Sequence, residues 1–224
     1  MATFPVFGRW RRGALAPALV AAALVLLGGG QARAEAEAVI PGAYTEPAGR
    51  PDATKTVPDF PAWKRITLGT HKGVNAVREA LDAHNIRVGE SADEILGRPA
   101  FRFSKTRTPL DLVVLTAVDL GFAKGSWSLA DVYRRAAQLG LELCPPEAAP
   151  LLRLEYLNQP IGEFLHIAMP PVASYGGDLV DLTVGNGGAG LILIGGDGSP
   201  DLKLHSSVKF VFVRPTRIAL PNNP

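Results

Sequence analysis

Arg153, Glu155 and His166 are the residues whose types and spacing best fit acid–base chemistry. Arg153 and Glu155 alternate with leucines in LLRLEY, and His166 stands in EFLHIAM a short distance further on. If the intervening LNQPIG turns tightly about Gln159 and Pro160, Leu152 faces Ile167, Leu154 faces Leu165 and Tyr156 faces Glu163. The aliphatic residues then share one face. On the other face Arg153 lies opposite His166, and Glu155 lies opposite Phe164 and diagonal to His166. An Arg, Glu and His trio so placed would orient a general base or bind a carboxylate. The solvated face of a two-sided sheet presents the same pattern.

Three further stretches carry candidate chemistry. Gly185, Gly187 and Gly190 in VGNGGAGLILIGGDG match the G-x-G-x-x-G spacing of dinucleotide loops. That motif needs a helix after its third glycine, whose N-terminus meets the pyrophosphate. Here LILIG follows, which has strand character, so the glycines read as a hairpin loop supplying positive φ, and no nucleotide cofactor is expected. In GDGSPDLKLH, Asp197, Asp201 and His205 lack the alternating oxygen ligands and later glutamate of a calcium loop; turn chemistry accounts for them, and no metal is expected. Cys144 is the single cysteine, flanked by LGLEL and two prolines, and reads as a small buried hydrophobe. A thiolate role would require His71 or His166 beside it. G-x-S-x-G and H-E-x-x-H are absent.

The ends define where such groups would act. Arg9, Arg11 and Arg12 precede an apolar run from about Ala14 to Leu27, and the triplet Ala32-Arg33-Ala34 follows, which is the layout of a secretory signal peptide cleaved after Ala34. The run is short for a membrane span and is broken by Pro17. The expected location is periplasmic or secreted. The chain holds 23 basic and 21 acidic residues, but four arginines and no acid lie in residues 1–34, so the remainder carries 19 against 21, a net of −2. A slightly acidic chain without a basic stripe lacks the footprint for nucleic acid, and the same balance speaks against an anionic membrane surface.

The elements that must hold these residues divide by period. Residues 35–62 are rich in proline and alanine with neither helical nor strand period and read as a flexible tether. A single compact domain is expected over 63–217, with a tail at 218–224. KRITLG predicts a first strand. THKGVNAVREALDAHN predicts a helix capped by Thr70, with Val74, Val77, Leu81 and His84 on one side. SADEILG predicts a short helix capped by Ser91 with Glu94 closing the box, and LDLVVLTAVDLGF a central strand. SLADVYRRAAQLG predicts a helix capped by Ser128, with Leu129, Val132, Ala136 and Leu139 inward and Gly140 as stop. Then LLRLEY, EFLHIAM, DLVDLTV, GLILIG and KFVFVRP change to strand period. The expected fold is α+β, N-terminal helices followed by an antiparallel β meander.

LDLVVLTAVDLGF, SLADVYRRAAQLGLELCPPEAAPLLRLEY, QPIGEFLHIAMPPV and KFVFVRP together resemble a family of small bacterial proteins without an assigned activity, over roughly residues 66–215. The resemblance implies a recurring domain and brings no ligand or catalytic residue. The residues favour an exported, non-catalytic binding or interaction module with an envelope or extracellular partner. The alternative is a small secreted or envelope hydrolase using His166, Glu155 and Arg153.

Overall fold

Helices and strands interleave along residues 60–215, the part of the chain that the computed structural model describes. The expected signal peptide and its cleavage point, all but the last three residues of the tether, and the tail lie outside the described residues. The order is β1 (Lys64–Leu68), α1 (Val74–Ala83), β2 (Arg87–Val88), α2 (Glu90–Leu96), β3 (Thr108–Thr116), β4 (Ser126–Ser128), α3 (Leu129–Gln138), α4 (Ala148–Glu155), β5 (Phe164–Ile167), β6 (Val172–Ala173), β7 (Leu179–Gly187), β8 (Gly190–Asp197), β9 (Lys203–His205) and β10 (Lys209–Arg214).

The main sheet runs β1-β3-β10-β5-β7-β8-β2 and curls, with β6 beside β7; β4 and β9 form a separate pair. The α+β class holds, but the meander does not. Helices lie between strands throughout, and the sheet is mixed because β10 runs parallel to β5 and β2 parallel to β8. The reason is topological: the last strand inserts between β3 and β5 instead of adding at an edge.

Strand alternation sorts the core into two layers. Ile66, Leu112, Val211, Leu165, Leu182 and Leu193 face α1, α2 and α4, whereas Val113, Leu115, Phe210 and Phe212 face α3. Burial on both faces explains the unbroken apolar run of β3, which lies one strand in from the edge strand β1. Helix α3 starts as expected: the Ser128 hydroxyl accepts the Asp131 N–H at 3.1 Å, and Leu129, Val132, Tyr133 and Ala136 are buried. The other two caps differ. Gly73 precedes α1, Gly89 precedes α2, and neither Thr70 nor Ser91 caps; His84 follows α1 as an exposed residue.

The largest correction concerns LLRLEY, which is not a strand but the end of α4. Read from Leu151 alone, the segment alternates; read from Ala148, it places Ala148, Leu151 and Leu152 at helical spacing, all buried, with Pro150 in the first turn where a missing N–H costs little. The expected pairing of Leu152 with Ile167 therefore does not exist. Strand β5 pairs instead with β7, Leu165 opposite Val184 and His166 opposite Thr183, and with β10.

The glycine-rich stretch is the β7–β8 hairpin, with Gly187 paired to Gly190 across Gly188 and Ala189. Gly190 begins a strand and carries the positive φ of this turn, 100°; Gly185, Gly187 and Gly188 do not share it.

Candidate functional site

The three residues expected to form a cluster hold three separate sets of partners. Arg153 projects from α4 and is fully buried. Its guanidinium donates to Gln159 Oε1, to the Tyr156 carbonyl that ends the helix, and to the Gly185 carbonyl on β7 at 3.0 Å, while Nε has no acceptor. Burial pulls its pKa down to about 10, with the Tyr156 side chain opposing. It remains a cation at neutral pH, its two terminal nitrogens held by carbonyl oxygens alone. Arg153 is thus a structural pin between α4 and β7.

Glu155 ends α4 beside β1. Its carboxylate accepts a hydrogen bond from the backbone of Thr67 and lies near Lys64; partial burial nevertheless raises its pKa, outweighing both. Capping an N–H on the sheet's edge strand is a structural task, since an open edge invites pairing with other chains.

His166 faces the α3 side of the sheet and is 8% exposed. Its Nε2 lies 2.9 Å from Asp181 Oδ2 on β7 and 3.3 Å from the Tyr133 hydroxyl on α3, and its ring meets Phe210 edge-on at 5.1 Å. Asp181 is 1% exposed. The imidazole contact is close but not aligned as a hydrogen bond, so both Asp181 oxygens lack a directed donor. A buried acidic side chain needs a polar neighbour, and among the described residues His166 Nε2 lies closest against it. Asp181 and Tyr133 were not among the expected site residues. Both left a signal: Asp181 interrupts an apolar strand run, and Tyr133 sits on the inward stripe of α3 between Val132 and Ala136.

Arg153 supports a surface of another kind. The loop from Leu157 to Glu163 is tied to the end of β7 by Gly162 N–H to Asn186 O at 2.7 Å, Asn186 N–H to Glu163 O at 3.0 Å, Asn186 Nδ2 to Gln159 O at 2.6 Å and Gln159 Nε2 to Val184 O at 3.2 Å. Tyr156 donates to Glu163 at 2.8 Å, and Lys209 pairs with the same carboxylate. Burial pulls Glu163 upward, but the hydrogen bonds from Lys209 and Tyr156 win and hold it below the usual range. On this stitched frame Ile161 is 80% exposed, Phe164 46% and Leu157 44%. The Phe164 ring lies over Gly185, where a Cβ would stand 2.6 Å from it, so a side chain at 185 would displace the ring.

The remaining candidates resolve individually. Cys144 is buried in the core with its thiol against Val211 O at 3.4 Å, and burial pushes its pKa far up. Asp197 Oδ1 caps the Ser199 N–H at 2.8 Å, which is turn chemistry. Among the described residues no group of three or more His, Cys, Asp or Glu side chains is placed to hold a metal ion, and no helix is long and apolar enough to cross a membrane. Compared with known proteins, the chain matches no family model, no curated protein and no solved structure. Residue roles therefore rest on geometry.

Proposed function

We propose that this chain is an exported protein whose domain acts as a non-catalytic docking module in the periplasm or outside the cell. The observation that carries the reading is the loop 157–163: a buried cation, a buried amide and the Asn186 side chain hold it in place while it displays Leu157 and Ile161 to solvent, with Phe164 exposed at the start of β5. Exposed apolar side chains on a hydrogen-bonded frame suit an interaction site, and a frame ordered in advance lowers the entropy cost of binding. The hydrolase reading loses support because Arg153 and Glu155 are committed to backbone groups on elements that do not present them to His166.

The test is capture of partners from envelope fractions by the wild type and by Ile161→Asp, with melting temperature confirming that the variant is folded. The reading expects a partner that wild type retains and Ile161→Asp loses; equal capture by both would overturn it. N-terminal sequencing of exported material tests the location, with a start at Glu35 expected and a start at Met1 counting against cleavage.

A further inference from the structure

Helix α3 covers only part of its side of the sheet. The buried cluster beneath it draws on β3, β10, α3 and the loops around them, and on no residue of β7 or β8. Side chains of paired residues share a face, so those on this side fall into rows across the strands. One row is Phe164, Gly185, Ile192 and Arg87, running over β5, β7, β8 and β2. The next is His166, Thr183 and Ile194. Tyr133 closes over His166, but Phe164 is 46% exposed, Ile192 and Ile194 are half-buried, and none of these three belongs to either core cluster.

The first row is one continuous surface. A Cβ at Gly185 would stand 2.6 Å from the Phe164 ring and 3.5 Å from Ile192 Cγ2, so ring and isoleucine meet across the glycine. Arg87 ends the row as an exposed side chain, and no carboxylate of the described residues pairs with it. The row therefore has an aromatic face at one end and an unpaired cation at the other. Reversed and laid on itself it is self-complementary: Arg87 and Ile192 of one copy come over the Phe164 ring of the other, a cation–π and an apolar contact made twice. Complementarity between the two ends of one row singles out a second copy of this chain over an unrelated partner.

We propose that this face is the contact between two copies of the chain, related by a twofold axis parallel to β7 and β8. The two sheets pack face to face about 10 Å apart, and the contact closes after two chains because each copy offers the same patch. This goes beyond the docking loop, with which the dimer contact shares only Phe164; Leu157 and Ile161 lie outside the row.

Sedimentation equilibrium of the full chain tests the proposal. The mass should rise with concentration toward that of two chains, and Arg87→Glu and Ile192→Glu should each weaken association by about tenfold or more. Melting temperature checks folding, and because Arg87 is exposed its variant keeps the test decisive if Ile192→Glu unfolds. Mixed Arg87→Cys and Phe164→Cys chains should be joined by a short bismaleimide more efficiently than either variant alone, since Cys144 is buried and leaves the new thiols as the reactive ones. Ile161→Asp should leave the association unchanged, which separates this contact from the docking loop. A chain that stays monomeric at every concentration, association equal to wild type in Arg87→Glu, or no preference for the mixed cross-link would overturn the proposal.

Discussion

Arg153 illustrates how a side chain with catalytic potential is absorbed by structure. A buried guanidinium without a carboxylate is costly, and here the carbonyls of Tyr156 and Gly185 offset that cost while losing their own solvation to the same contact. Arg153→Met removes the charge but leaves those carbonyls and Gln159 without donors. We expect a loss of about 2 kcal/mol in urea unfolding and new protease cleavage within residues 157–163; unchanged stability and an intact loop would refute the pinning role. The neighbouring Tyr156 offers a spectroscopic test. Burial first, then its hydrogen bond to Glu163, pushes the phenol up to about 12 from its usual 10. In alkaline titration by absorbance the transition lost in Tyr156→Phe should be a late one, and in Glu163→Gln it should move down, because the charge that opposes the phenolate is gone. At this scale the types of the special residues were legible, but their partners were not: His166 depends on Asp181 and Tyr133, which arrive from other elements.

Element by element, legibility followed length of pattern. Helix α3 and strands β1, β3, β5, β7, β8 and β10 carried enough periodic positions, or enough apolar ones, to be read. Helix α4 did not, because a window beginning at Leu151 discards the alanines that complete its stripe. The caps of α1 and α2 failed for a related reason: a Thr or Ser near a helix start is only a candidate, and backbone at Gly73 and Gly89 took the position. Glycines likewise cannot be ranked from sequence. A Cβ at Gly195 would lie 2.7 Å from Ala92 N, on the backbone of α2, whereas one at Gly188 meets nothing within 4 Å. Gly195→Ala must push α2 off β8 and should cost about 2 kcal/mol, while Gly188→Ala should stay within about 0.5 kcal/mol of wild type. Thermal unfolding of the two variants checks this, and the opposite order would mean that the hairpin turn, not the helix–sheet contact, is the demanding position.

Across the whole molecule, class was legible and topology was not. Alternation announces strands, but nothing in KFVFVR states that β10 will enter between β3 and β5, since neighbour choice is settled by fit between distant segments. That insertion has an energetic consequence. Strand β10 places Val211 and Val213 in the layer under α1, α2 and α4, and Phe210 and Phe212 in the layer under α3, so one strand carries both cores. Damage to either layer should therefore be felt in the other. Phe212→Ala removes a fully buried ring from the α3 side and should cost about 3–5 kcal/mol. If the layers are one cooperative unit, amide exchange should accelerate by a similar factor at Val132 on α3 and at Leu81 on α1, because both amides open through the same global unfolding. Leu151→Ala, on the opposite face, should produce the same paired acceleration. Faster exchange confined to α3 in the first variant and to α1 and α4 in the second would show instead that the sheet insulates its two faces, and that β10 joins them in space without coupling them in energy.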